Sequence, residues 1–341
     1  MLQTGESRPK IVSLTAALAV FASLVPTQLI ASGLSDRDRL RSELTALANA
    51  HPGRVGICVR DEASPAICVN GEQRFSLQSV MKVVVAAAVM QAVDDRRIAL
   101  GDRLTIRRGD LSVNIQPIAD IVAERGSFET SIGDLVSRAV VESDSAATDV
   151  LISHLGGTKA VQAFLDEAGL QGIRIDRTER ELQTETDGLT WTPEFVFPER
   201  LEQARKEVAD ARRQAAFEAY LKDPRDTATP IEMVGFLHGL ATGQLLSASS
   251  TAHLLEVMNR TVTFPDRLRA GVPSGWTIGH KTGTSQTRNG INGVTNDVGI
   301  LTAPDGTHVA VAAFVAESRA GKDERAATIA AAARAITAAY K

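Results

Sequence analysis

A chain of 341 residues with 44% hydrophobic and 23% charged residues has a globular composition, which excludes extended disorder and a multi-span membrane architecture. At roughly 100 to 200 residues per domain, this length predicts about two domains. A formal net charge of -4 and only 4% aromatic residues provide neither a basic excess for a phosphate backbone nor platforms for stacked bases, so a nucleic-acid partner is not expected.

At the N-terminus, Arg8 and Lys10 precede an uncharged, mostly apolar run from Ile11 to Val25, followed by small and polar residues up to Ser32 and Gly33. That order predicts a secretory signal peptide over residues 1–32. The run of about 15 residues is shorter than the ~20 that a spanning helix needs. A periplasmic or secreted protein with no lasting membrane anchor is therefore expected, and no cysteine follows the run to carry a lipid.

Leu40, Leu44 and Leu47 predict a helix within residues 34–50. Two β-type runs follow, Arg54 to Arg60 and Pro65 to Val69, separated by Asp61-Glu62-Ala63-Ser64. A hairpin would set Cys58 opposite Cys68, where the pair either closes a disulfide in an oxidising compartment or remains as two small hydrophobes in a sheet. The histidines have no ligand spacing and no cysteine pair beside them, which argues against a metal site.

From about Ser76 to Met258 helical patterns dominate, and within them Leu201, Ala204, Val208, Ala211 and Ala215 predict one amphipathic helix over residues 199–221. Strand character returns at Thr277 to Lys281, Asp297 to Thr302 and His308 to Val315, and residues 326–340 predict an alanine-rich closing helix. The expected fold class is α/β plus all-α. Residues 33–74 and 264–341 supply an antiparallel five-stranded sheet flanked by terminal helices, and an all-helical domain is inserted over residues 75–263. Ligand sites favour such junctions.

Three polar words fall where the two parts would meet. Ser79-Val80-Met81-Lys82 opens an apolar helix, with Ser79 and Lys82 on one face. A serine at a helix N-terminus gains free backbone N–H groups, and a lysine in a dry site can lose its proton and act as a base. The alternative is a plain helix start with a snorkelling lysine, since Ser-x-x-Lys arises about once by chance in a chain this long. Ser143-Asp144-Ser145 reads equally as an N-cap cluster. His280-Lys281-Thr282-Gly283-Thr284-Ser285 on a strand presents a cation and hydroxyls toward a carboxylate, or is a solvated edge with a protective lysine.

The order Ser-x-x-Lys, Ser-Asp-x, Lys-Thr-Gly is the motif set of class A β-lactamases and penicillin-binding proteins. From about Leu34 to Tyr340 the chain resembles class A serine β-lactamases. Arg74-Phe75, Asp134-Leu135, Pro265-Asp266-Arg267-Leu268 and Gly275-Trp276 agree with it as flanking words. Gln78 before Ser79, the Thr284-Ser285 pair and Thr295-Asn296-Asp297 look most like the extended-spectrum branch related to the PER-type enzymes.

The resemblance also assigns roles. Arg177-Thr178-Glu179-Arg180-Glu181-Leu182-Gln183 matches the family's Ω-loop word, which makes Glu179 the base for deacylation and pairs Arg177 with Asp226 to close an extended Ω loop over residues 177–226. Ser79 would attack the lactam carbonyl while backbone N–H groups of Ser79 and Thr284 hold the oxyanion. Ser143 would relay a proton to the leaving nitrogen, and Lys281, Thr282, Thr284 and Arg267 would bind the substrate carboxylate. Either Lys82 or Glu179 through water would activate Ser79.

The expected partner is a small-molecule β-lactam substrate, bound by a monomer that needs no cofactor and no metal. A D,D-peptidase or a non-turnover penicillin sensor shares the three motifs and is the alternative. Three departures stand out: Ser145 where the family has Asn, Gln183 where an Asn helps hold the deacylating water, and a lengthened stretch from Gln183 to Asp223. That stretch reads as a surface embellishment, or else as a lid beside the site.

Overall fold

The computed structural model describes residues 1–3, 5 and 35–340. The apolar run of the expected signal peptide lies outside the described residues, and among the described ones no helix is long and apolar enough to cross a membrane.

Helix α1 (Asp36–Ala50) starts at Ser35, whose hydroxyl accepts from the Asp38 N–H, and it buries Leu40, Leu44 and Ala48. Strands β1 (Arg54–Asp61) and β2 (Ile67–Val69) follow as an antiparallel hairpin in which Cys58 faces Cys68. Their sulfurs are bonded, with the Cα atoms 4.2 Å apart. Near the other end of the chain come β3 (Thr277–Thr284), β4 (Thr287–Arg288), β5 (Ile291–Thr302) and β6 (His308–Ser318). Together these make one sheet in the order β2-β1-β6-β5-β3, with β4 paired to β5. All its pairings are antiparallel.

Both faces of the sheet are covered, so the strands are apolar nearly throughout rather than alternately polar. Val309, Val311, Ala313 and Val315 of β6 join Leu40 and Leu44 of α1, together with Ile329, Ala333 and Ile336 of the closing helix, residues 322–339. Ala310, Ala312 and Phe314 turn the other way, into the core of the helical part.

That part is organised around α2 (Met81–Asp94), which is buried on nearly every side, as its unbroken apolar run requires. Helix α3 (Ser145–Leu155) is capped by Asp144 through the Ala147 N–H. Helix α4 (Glu179–Thr186) starts in a capping box between Thr178 and Glu181.

Two expectations are corrected. The five-stranded sheet gains the short sixth strand β4, and β3 and β5 run further toward each other than Lys281 and Asp297. Gly283, Asn292 and Asn296 are poor strand formers, yet ladder pairing overrides their propensity. The single helix expected over residues 199–221 is instead two, α5 (Pro198–Glu207) and α6 (Asp210–Lys222). Val208 and Ala209 adopt extended ψ angles of 118° and 142°. The break lets α5 bury Leu201 while α6 buries Phe217 and Tyr220, leaving Ala211 and Ala215 exposed.

Candidate active site

Ser79 lies in a short turn, Gln78–Val80, that runs directly into α2. The turn is pinned from both sides: Asn296 Nδ2 donates to the Ser76 carbonyl at 2.8 Å, and Leu77 N–H donates to the Asp226 carbonyl at 2.8 Å. Gln78 has φ of 47°, a left-handed conformation that a non-glycine residue holds only when its surroundings enforce it. Gly283 of β3 presses on the same turn. A Cβ there would lie 2.5 Å from the Leu77 carbonyl and 3.3 Å from Ser79 N, so only glycine lets the strand lie this close. Ser79 is half-exposed, while Lys82, Ser143, Ser145, Glu179 and Lys281 around it are buried.

Lys82, one turn along from Ser79, gathers the second motif and the Ω loop. Its Nζ donates to the Ser143 carbonyl at 2.6 Å, to Ser145 Oγ at 3.1 Å and to Ser143 Oγ at 3.3 Å. Glu179 Oε1 is 3.3 Å from the same ammonium and has no protein hydrogen bond. The contact is therefore an ion pair with spare acceptor capacity on the carboxylate. Ser145, which stands where the family has Asn, has Lys82 as its side-chain partner. Ser143 sits at φ 61°, which turns its hydroxyl toward both lysines.

Lys281 approaches Ser143 from the sheet side, donating to its Oγ and to the Thr282 carbonyl, each at 3.0 Å. Burial, then the neighbouring charge of Lys82, pushes its ammonium well below the usual lysine range; Glu179 and Asp297 oppose this. Arg267 donates to the Gly283 and Asn296 carbonyls at 3.1 and 2.7 Å and to Thr284 Oγ1 at 2.6 Å. Burial lowers its pKa to about 10. Thr282 Oγ1 lies 2.7 Å from Thr263 Oγ1. Lys281, Thr282, Thr284 and Arg267 thus form one cationic, hydroxyl-rich edge.

The Ω loop is closed by Asp226, which accepts from Arg177 Nε at 2.6 Å, Arg177 N–H at 3.0 Å and Asp176 N–H at 2.7 Å. Glu185 and Asp223 complete the guanidinium's partners. Burial raises the Asp226 pKa, with the Arg177 charge opposing it. Gln183, one turn after Glu179, donates through Nε2 to Glu179 Oε2 at 3.3 Å and to Gln78 Oε1 at 2.8 Å.

Two features were missed in the sequence. Asp149 of α3 accepts from the Glu179 N–H at 2.7 Å and the Arg180 N–H at 3.1 Å, anchoring the start of α4. Its position four residues after Ser145, on the same helix face, was the available signal. Tyr220, whose hydroxyl accepts from Gln78 Nε2 at 2.8 Å, carried no local signal; it brings the lengthened stretch to the residue beside Ser79 and corrects its reading as a surface embellishment. A separate cavity of about 390 Å³ lined by Leu104, Asp110, Asp149, Ser153, His154 and Arg180, among others, contains none of the motif serines or lysines. The site is therefore defined by the converging side chains.

Residues 39–340 match the model of the β-lactamase enzyme family. A β-lactamase of Citrobacter koseri is 28% identical over 327 residues, covering 96% of each chain. The structure of the class A β-lactamase of the last common ancestor of Gram-negative bacteria is 32% identical with a TM-score of 0.71, covering 89% of this chain and 99% of that one. A β-lactamase from Chitinophaga pinensis is 27% identical with a TM-score of 0.73, covering 89% of this chain and all of that one. With the fold, the motif order and the converging site, these likenesses show that the chain belongs to the β-lactamase enzyme family, among the class A serine enzymes.

Proposed function

We propose that this class A β-lactamase hydrolyses the lactam amide through an ester on Ser79, with Glu179 activating the water that removes it. The observation that carries this reading is the buried contact of Glu179 Oε1 with Lys82 Nζ at 3.3 Å, with no protein donor occupying that oxygen. A carboxylate so placed can accept a proton from water, which a pure acyl-enzyme former has no need to do.

In acylation Ser79 Oγ attacks the carbonyl carbon, and its proton leaves through water toward Glu179, or toward Lys82 once that ammonium has passed a proton to Glu179. Backbone N–H groups of Ser79 and Thr284 stabilise the oxyanion, each donor contributing about 3 to 4 kcal/mol in comparable sites. The short approach of Gly283 to the Ser79 turn supports that pairing. As the C–N bond breaks, Ser143 Oγ gives its proton to the lactam nitrogen and recovers one from the lysines that contact it. The substrate carboxylate meets Lys281, Thr282, Thr284 and Arg267; its charge offsets the cost of keeping Lys281 protonated. Water deprotonated by Glu179 then attacks the ester and frees Ser79.

Export through residues 1–32 and action as a monomer complete the reading, and Gln78, Ser285 and Asn296 support the extended-spectrum branch. The test is hydrolysis of a chromogenic cephalosporin by the mature chain and by Ser79→Ala. Turnover in the parent that disappears in the variant supports the assignment, and undiminished turnover in Ser79→Ala refutes it.

A further inference from the structure

The lengthened stretch between Gln183 and Asp223 reaches Gln183 from two directions, each through one intermediary side chain. From α6, Tyr220 OH accepts from Gln78 Nε2 at 2.8 Å, and Gln78 Oε1 accepts from Gln183 Nε2 at 2.8 Å. From α5, Arg205 Nη2 donates to Asn114 Oδ1 at 2.8 Å, and Asn114 Nδ2 donates to Gln183 Oε1 at 3.4 Å. Both ends of the Gln183 amide are thereby tied to the insertion, while its Nε2 also donates to Glu179 Oε2 at 3.3 Å.

The polarity of this chain follows from the carboxylate. An ionised carboxylate only accepts, so Gln183 must turn its NH2 toward Glu179. The same NH2 then requires the carbonyl oxygen of Gln78, and Gln78 in turn directs its own NH2 at Tyr220. The phenol is well placed to receive it. Burial raises its pKa while the Ser76, Gln78 and Ser285 side chains facing it oppose the rise, so it stays neutral with a proton of its own to donate. The ring is seated as firmly as the hydroxyl. Phe217 and Tyr220 pack with Leu182 of α4, and Gly293 of β5 leaves the space that the ring fills, since a Cβ there would lie 2.8 Å from Tyr220 Cε1.

We propose that the insertion is a positioning clamp for the deacylating base: Tyr220 and Arg205 fix the Gln183 amide, and Gln183 fixes the Glu179 carboxylate. The proposal rests on Glu179 acting in deacylation. Gln183 is longer by one methylene than an asparagine, and such a side chain needs external restraint to hold one rotamer. The insertion provides that restraint at both amide atoms.

The test uses Tyr220→Phe, which keeps the ring and deletes the hydroxyl, and Arg205→Met, which acts from the opposite side. Acylation is followed by rapid mixing with a chromogenic cephalosporin, and deacylation by intact-protein mass after removal of excess substrate. Each variant is expected to slow deacylation about tenfold, the weight of one hydrogen bond, with acylation unchanged and a persistent adduct on the protein. In a Glu179→Ala background neither substitution should slow deacylation further. Parallel loss of both steps, or normal deacylation in both variants beside a trapped Glu179→Ala adduct, overturns the clamp alone. Deacylation at the parent rate in Glu179→Ala removes the reading beneath it. Should Tyr220→Phe fail to fold, Arg205→Met decides the matter.

Discussion

Asp149→Asn changes one buried charge at the anchor of the base-carrying helix. The carboxylate is 1% exposed and accepts from Glu179 N–H, Arg180 N–H and Ser112 Oγ at 2.7, 3.1 and 2.7 Å. Burial is the largest influence on it and lifts its pKa from 3.8 to about 6; the Glu179 charge adds to the rise, and Ser112 and Arg180 oppose it. The folded state therefore holds this proton more tightly than the unfolded state. Its contribution to stability is fully present below about pH 4 and is lost as the pH rises through about 6. A difference of about 2 pKa units at roughly 1.4 kcal/mol each amounts to about 3 kcal/mol. Asparagine is uncharged at every pH, and whatever hydrogen-bonding cost it brings at Arg180 does not vary with pH. The stability of Asp149→Asn relative to the parent should thus improve by about 3 kcal/mol between pH 4 and pH 7, as read from urea unfolding at each pH. A difference that is flat with pH, or that moves against the variant as pH rises, refutes the reasoning.

Asp226→Ala leaves the buried Arg177 short of its main partner and orphans the Asp176 and Arg177 N–H groups; a loss of about 3 to 5 kcal/mol in unfolding free energy is expected. Deacylation should fall more than acylation, and equal loss of both steps would contradict the role of this pair in placing Glu179. Gly283→Ala drives a methyl group into the backbone of Leu77, Val80 and Ser79 and should lower kcat at least about 100-fold by displacing the oxyanion donors; steady-state kinetics within a factor of a few of the parent would refute that. The Cys58–Cys68 bond spans 10 residues, so reduction should cost about 3 kcal/mol by restoring chain entropy to the unfolded state. Identical denaturation midpoints with and without reductant would contradict it.

The sheet and the buried helix α2 were legible because their burial pattern is written in local residue types. Val309 to Val315 and Val83 to Val89 are apolar in runs that only a doubly covered strand or an enclosed helix can bury. The convergence of Ser79, Lys82, Ser143, Glu179 and Lys281 was foreshadowed by motif order, not by periodicity, since each word alone is also an ordinary cap or edge. Motif order could not foresee the partner of Ser145, which depends on how α3 is set against α2. The long-range helpers were not legible. Tyr220 reaches Gln78 across 142 positions, and nothing around Tyr220 distinguishes it from a core aromatic. The break at Val208 was hidden for a related reason: alanines at helical spacing suit a helix in either orientation, and the preference of Phe217 and Tyr220 for Leu182 decided which face turned inward.

The central claim is that Ser79 is acylated and Glu179 releases it. Intact-protein mass recorded through the hydrolysis of a chromogenic cephalosporin, for the parent and for Glu179→Ala, tests it most directly. The account predicts sustained turnover with little adduct in the parent, and a single burst with a long-lived adduct on Ser79 in the variant. A parent that stops after one burst, or a variant that acylates as poorly as it deacylates, would contradict it.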